Sequence, residues 1–518
     1  MRPGEVWEVA FRAADPGLWM NHCHNLAHAD QGMAPHLRYE GVISPFRGGH
    51  GGWHRVEVSR RGGVSRRRAE GVFAGDERGR AGTKRSRCGH RFARILRLYK
   101  DFRMTDRAPA GPVKITEPEP ADAEPGARPG ETTAETSGES TGEVAGRQRW
   151  VPRFLTDPGD RLALLLWALS HVGVLIYAYL AGPGRTTDPF LNRFTRWDAE
   201  NFIAIAQFGY DGPPGMQDAG KLPAFFPGMA ILIRVMRPVV EDGRLATMII
   251  SLVASAVLAV ALSRLAETYA AGSGRYAVAA LFLSPFAVFL YSGYSEALFL
   301  ALAVSAWLLA RNGRWEDAAL CAAGAATVRI SGLFLAFGLL VMFLVAENGR
   351  KRPGGWRLLP WLALPGVPLV LYSVYQWTRT GDWLAYNSVQ DRFWGRHAVW
   401  PWEALANTWN MSDDVASLTT SYYGEIISAA VLLVLAGCLA VRRKWPEFAY
   451  IIPQVLSFLT LSSFYMSIGR GSLTWFPLWI AIGVAGVRRP WVWLVSMAIM
   501  IPVMAINTGN FTTGAWIG

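Results

Sequence analysis

The chain has 518 residues, about half of them hydrophobic, with 22 Trp, 25 Phe and a net charge of +12. Its four scattered cysteines (Cys23, Cys88, Cys321, Cys438) exclude a disulfide framework, and two of them fall inside apolar runs where a free buried thiol is expected. The charge does not point to nucleic acid: residues 47–103 hold 17 Lys and Arg against 5 Asp and Glu, a surplus as large as that of the whole chain, without any recognition motif.

Residues 1–46 alternate like β-structure, and EVWEVAFRAADPGLWMNHCH reads as two strands joined at Asp15-Pro16-Gly17. Inside this region MNHCHNLAHADQGM sets Cys23 between His22 and His24, with His28 and Met33 beyond. A thiolate, imidazoles and a thioether are the ligand types of a copper centre. The stretch WEVAFRAADPGLWMNHCHNLAHADQGM resembles the C-terminal end of a multicopper oxidase. The resemblance implies Cys23, His28 and Met33 as ligands of an electron-transfer copper, and His22 and His24 as ligands of a trinuclear cluster. In that family the remaining ligands come from earlier strands, so copper is expected here only where another chain completes the sites. Residues 1–46 are therefore read as a truncated, cupredoxin-like fragment without a role in the membrane region. On this reading residues 1–103 are the tail of a neighbouring oxidase gene with its translated spacer, and natural translation starts near Met104. A fusion whose fragment complements a separate oxidase chain is the alternative.

Residues 47–150 form the second region. The first part (SRRGGVSRRRAEG) is basic without hydrophobic periodicity, and residues 104–150 are rich in Pro, Glu, Thr, Gly and Ala. Such a composition buries too little apolar surface to fold, so a disordered linker is expected.

The third region, residues 151–518, is a series of apolar runs at roughly 162–181, 245–263, 276–292, 297–310, 317–346, 358–377, 424–441, 448–466, 472–487 and 491–507. A helix over all of 317–346 would be about 45 Å long against a hydrocarbon core of about 30 Å. Breaks at SGYSE (292–296) and VRIS (328–331) give about 11 transmembrane helices, so an all-α polytopic membrane protein is expected. With the N-terminal region cytoplasmic, every inward break carries at least two Lys or Arg, among them RNGRW, NGRKRPGGWR and RRKWP. The loops at 182–244, 378–423 and 467–471 then face outward, and the protein is expected in the plasma membrane.

The outward loops hold the chemistry. The first contains RWDAENFIAIAQFGYDG, with Arg196, Trp197, Asp198, Glu200 and Tyr210, followed by AFFPGMAILIRVM, which reads as an amphipathic or re-entrant piece. A carboxylate beside Trp197 at the membrane surface suits a general base for a sugar hydroxyl. A helix N-cap or a salt bridge with Arg196 is the plainer reading of Asp198. Glu296 and Arg329 lie inside otherwise apolar stretches, where ionisable groups are costly and point to function or to a mutual ion pair. Gln390, Arg396 and Arg470 fall on the same side. Arginines suit phosphate through charge-assisted, bidentate hydrogen bonds.

RWDAENFIAIAQFGYDG, AFFPGMAILIR, SPFAVFLYSGYSEALFL, VRISGL, RTGDWLAYNSVQDRFWGR and SIGRGSLTWFPLWIAIG, in this order over residues 155–518, resemble the PIG-V mannosyltransferase family of GT-C type. The family commonly carries Pro-Leu-Tyr-Pro after the paired Phe, where this chain has FFPGMAIL. The resemblance implies transfer of a hexose, mannose first, from a polyprenyl-phosphate donor to a lipid-linked or glycan acceptor on the extracytoplasmic face. It implies Asp198 as catalytic base. Glu296, Arg329, Gln390, Arg396 and Arg470 then bind substrate, with Arg196, Trp197, Glu200 and Tyr210 of the first loop as further candidates. The expected partners are the donor, the acceptor and membrane lipids, with no nucleic acid. No cofactor is required for transfer on this reading, although a divalent metal on a single carboxylate stays open. A lipid or polysaccharide transporter would also place charges in membrane cavities. The absence of repeated halves and the large, asymmetric first loop favour an enzyme.

Overall fold

Charge and helix-breaking residues set where each helix starts and stops. The computed structural model describes residues 18–20, 36–38, 157–182, 185–216, 218–347, 349–351, 355–414 and 419–517. Near the N-terminus, β1 (Leu18–Met20) pairs antiparallel with β2 (His36–Arg38), with Trp19 opposite Leu37. The strand expected before Asp15, the copper-type residues Cys23, His22, His24, His28 and Met33, and the linker over 47–150 lie outside the described residues.

Helix α1 (Pro158–Ala181) begins after Asp157, whose carboxylate accepts from the N–H groups of Gly159 at 2.7 Å and Asp160 at 3.2 Å. Pro158 occupies the first position, where a missing N–H costs nothing. The large loop follows with α2 (Asp198–Phe208) and α3 (Pro227–Met236). Next comes α4 (Gly243–Glu267), capped by Asp242. Polar residues tie α1 to α4 inside the apolar interface: Trp167 Nε1 donates to Ser255 Oγ at 2.9 Å, and the His171 ring lies 3.3 Å from the same hydroxyl.

The two breaks anticipated in the long apolar runs are present. Helix α5 (Gly274–Phe282) and the single turn α6 (Val288–Tyr291) precede α7 (Glu296–Arg311). Helix α8 (Trp315–Val328) ends where Arg329 adopts an extended backbone, and α9 (Ser331–Val345) restarts two residues later. A tight helical segment at Gly355–Gly366 leads into α10 (Val367–Thr380). Two short helices, α11 (Ala385–Trp394) and α12 (Pro401–Asp414), fill the second large loop. The chain closes with α13 (Thr419–Val441), α14 (Trp445–Thr460), the turn α15 (Ile468–Gly471), α16 (Phe476–Arg488) and α17 (Pro490–Thr513).

Among the described residues, the eleven apolar segments are all helical, in the order the sequence predicts. They are unequal in length. Five are long and apolar enough to cross a bilayer: Pro158–Ala181, Gly243–Glu267, Gly355–Thr380, Ser421–Val441 and Pro490–Thr513. The others are shorter; α8 has 14 residues, a rise of about 21 Å against a core of about 30 Å. Helices this short must satisfy their ends on neighbouring protein rather than in lipid. Accordingly α7 and α8 are packed deep in the bundle, with Trp307 and Trp315 fully buried.

A second apolar cluster anchors the first large loop. Phe202, Tyr210, Phe226, Met229 and Tyr372 are buried together. Tyr210 donates to the carbonyl of Phe225 at 2.8 Å, and Tyr372 to that of Pro223 at 2.5 Å. Gly228 lets α3 approach the end of α8, since a Cβ there would sit 2.8 Å from the Thr327 carbonyl oxygen. That contact fixes the stretch from which Arg329 emerges.

Candidate active site

Four segments bring one charged network together. Asp198 is the first residue of α2, and the chain enters it through Trp197 at φ 51, a left-handed conformation held by a residue with a Cβ. Glu296 is the first residue of α7 and is fully buried. Arg470 sits in α15, entered through Ser467 at φ 60. Only one other described non-glycine residue, Arg443, has a positive φ. Strained backbone beside both Asp198 and Arg470 is the kind of outlier that accompanies a functional constraint.

Arg470 links the two carboxylates. Its Nη1 lies 2.7 Å from Asp198 Oδ2, and its Nε donates to Glu296 Oε1 at 2.5 Å. Its guanidinium also stacks on Tyr294 and Phe289, 4.6 and 4.9 Å from the ring centroids. Arg329 completes the network from the extended stretch between α8 and α9, donating to Glu296 Oε1 at 2.7 Å and Ser295 Oγ at 3.0 Å. Glu296 therefore joins two arginines through one oxygen, while its Oε2 is buried without a hydrogen-bond partner among the described residues. The mutual ion pair anticipated for Glu296 and Arg329 exists, as part of a larger set.

The network borders a cavity of about 170 Å³. Asp198, Arg329, Gln390, Arg396 and Arg470 all line it. Gln390 comes from α11, and Gly395 at φ +60 ends that helix. The Gly395 and Arg396 N–H groups bond back to the Asp391 and Gln390 carbonyls, which turns the chain toward the cavity. Arg396 differs from the other two arginines. Its side chain makes no hydrogen bond or ion pair among the described residues, and its Nε is buried without a partner. Burial pushes this guanidinium below the ordinary arginine value, against the opposing influence of the Tyr386 hydroxyl. A guanidinium without a protein partner on a cavity wall has hydrogen-bond donors to offer an anion.

The remaining candidates lie elsewhere. Arg196 pairs with Asp188, so it does not hold Asp198. The N-cap of α2 is Trp197, not Asp198, and the Asp198 carboxylate pairs with Arg470 instead. Both plainer readings of Asp198 are thereby set aside. Trp197 is exposed and meets Phe511 edge-on at 5.3 Å. Glu200 is exposed, and Tyr210 is buried in the loop's apolar cluster with Tyr372 and Tyr375. None of these four lines the cavity.

Several lining residues were not singled out in the sequence. Phe225, Phe226, Tyr386 and Trp394 supply aromatic surface, and the Trp394 ring meets Phe225 at 6.2 Å. In sequence these are indistinguishable from core aromatics. Glu425 was also passed over, although a carboxylate inside an apolar run carries the same signal as Glu296. It lies within the apolar stretch Ser421–Val441.

Comparisons with known proteins match two separate parts of the chain. Residues 184–346 match the family model described as mannosyltransferase (PIG-V), and residues 1–40 match that described as multicopper oxidase. A rat GPI alpha-1,6-mannosyltransferase 2 is 37% identical over 160 residues, 28% of this chain and 31% of its own length. The Chinese hamster (Cricetulus griseus) protein of the same name is 37% identical over 215 residues, 36% and 41% of the two chains. The mouse protein is 38% identical over 157 residues, 28% and 30%. The matched part thus spans less than half the length of these relatives. No solved structure matches the chain. Gln390, Arg396 and Arg470 fall beyond the matched family segment, and the structure alone brings them to Asp198. Over the segment that carries Asp198, Glu296 and Arg329, the chain is similar to the PIG-V mannosyltransferases.

Proposed function

We propose that this chain is a membrane glycosyltransferase that moves a hexose, mannose by analogy with its relatives, from a polyprenyl-phosphate donor to a glycolipid or glycan acceptor. The reading places the reaction on the extracytoplasmic face of the plasma membrane, where the outward loops converge. The observation that carries it is the unpaired Arg396 guanidinium in the same cavity as Asp198. One group receives a phosphate, the other receives a proton.

In this mechanism Asp198 removes the proton of an acceptor hydroxyl as its oxygen attacks the anomeric carbon of the donor. The bond between that carbon and the phosphate oxygen breaks, and the electron pair leaves with the phosphate. Arg396 stabilises the charge that develops there. Arg470 fixes where the Asp198 carboxylate points, and Glu296 fixes Arg470 and Arg329. Gln390 offers an amide to sugar hydroxyls, and Phe225 and Trp394 offer flat apolar surface to a sugar ring. The guanidinium supplies the positive charge that a leaving phosphate needs, so the reading requires no resident metal. No step of it runs through residues 1–46.

The test is donor choice. Membranes containing the full chain should move labelled mannose from polyprenyl-phosphate mannose to a lipid-extractable or glycan product. A nucleotide-linked mannose should give none. Product from the nucleotide sugar alone, in membranes lacking polyprenyl phosphate, would overturn the donor assignment.

A further inference from the structure

Glu425 is a buried carboxylate, 2% exposed, that the mechanism above does not use. It lies in α13, within an apolar stretch long enough to cross a bilayer. A carboxylate inside an apolar stretch is costly, which asks for a task. Its oxygens accept three hydrogen bonds from consecutive backbone N–H groups: Ser467 at 2.9 Å, Ile468 at 2.6 Å and Gly469 at 3.0 Å. Successive N–H groups converging on one point form an anion-binding concavity. Here a side chain of the same protein fills it.

The next residue in the chain is Arg470. Ser467 holds a left-handed φ of 60, unfavourable for a residue with a Cβ, and needs an outside contact to persist. The Arg470 guanidinium stacks on the Tyr294 and Phe289 rings, and its side chain starts from the turn that Ser467 opens. The turn beneath Arg470 is therefore what sets its reach toward Asp198 and Glu296.

We propose that Glu425 is a positioning residue for the transfer reaction: by filling the N–H concavity of residues 467–469 it fixes the turn that aims Arg470 at Asp198. The proposal rests on the transferase reading. When the carboxylate is lost, Ser467 relaxes toward an ordinary φ and Arg470 moves off Asp198. A displacement of about 1 Å in a reacting constellation costs about 100-fold in rate.

The experiment compares full-length wild type, Glu425→Gln, Arg470→Lys and the double variant in membranes, with polyprenyl-phosphate mannose as donor. The Gln amide keeps one acceptor oxygen and turns an NH₂ group toward the N–H donors. Glu425→Gln should lower kcat about 100-fold, with donor KM near wild type because Arg396 still holds the phosphate. In the Arg470→Lys background the same change should add almost nothing, since both act through one contact. Near-wild-type kcat in Glu425→Gln, or an equal loss in both backgrounds, would overturn the proposal. Hydrogen exchange of the peptide spanning 467–469 reads the turn without activity, and should be faster in Glu425→Gln and in the milder Glu425→Asp. Unchanged exchange in both would also overturn it. An inactive wild type would instead count against the transferase reading and leave the exchange result to decide the contact.

Discussion

Two parts of one cavity treat charge in opposite ways. Where α2, α7 and the 467–471 turn meet, every charged group is paired: Asp198 with Arg470, Arg470 with Glu296, and Glu296 with Arg329. Where α11 turns at Gly395, Arg396 stands without a hydrogen bond or ion pair among the described residues. A closed network of buried charges holds a shape, because breaking any member strands another. A half-buried cation without a hydrogen-bond partner is the opposite, a group with positive charge to offer an incoming anion. On the proposed mechanism, the first part holds the reacting carboxylate and the second receives the phosphate. It also accounts for the use of arginine in both, since the planar fork serves two carboxylates as readily as two phosphate oxygens.

The comparison can be broken most directly at Asp198. Asp198→Asn should lower the rate of transfer by about 10²- to 10⁴-fold, the contribution expected of a positioned general base. Transfer at near the wild-type rate would remove Asp198 from the mechanism. Glu296→Gln attacks the paired part itself. It withdraws the charge that two arginines share at a fully buried position, and stability should fall by about 3–5 kcal/mol, the usual cost of breaking a buried pair. Thermal unfolding in detergent checks this, with a lowered transition expected. Arg396→Ala sharpens the contrast from the other side. Donor KM should rise about 10- to 100-fold, matching the loss of a charged hydrogen bond of about 1.5–3 kcal/mol. The thermal transition should stay level or rise, because the variant removes a half-buried cation that has no hydrogen-bond partner among the described residues. A destabilisation as large as that of Glu296→Gln would make Arg396 a structural residue.

Much of this site was legible because charge inside apolar sequence is costly and therefore conspicuous. Glu296 and Arg329 stood out against SPFAVFLY and SGLFLAFG, and both mark real helix breaks. The breaks were readable from charge and from an apolar run too long for a bilayer. The lengths of α5, α7, α8 and α9 were not, because hydropathy measures polarity and not where backbone hydrogen bonds stop. Aromatic lining residues such as Phe225 and Trp394 were invisible for a related reason: a ring facing a cavity and a ring facing a core look alike in sequence. The partners of Arg470 were also hidden, as Glu296 and Asp198 lie 174 and 272 positions away along the chain.

The smallest expected effect tests how narrowly the chemistry is confined. Glu200 lies two residues after Asp198 in the same helix, carries the same charge, and was a further substrate-binding candidate in RWDAEN. The helix turns it outward, where it is exposed and does not line the cavity. A carboxylate in the first turn of a helix still gains from the partial positive charge of the N-terminus, typically about 0.3–1 kcal/mol. Glu200→Gln should therefore cost no more than that in stability and leave kcat and both KM values near wild type. A rate loss approaching that of Asp198→Asn would mean that the exposed carboxylate shares the proton transfer, and the paired network around Asp198 would then be a scaffold rather than the reacting centre.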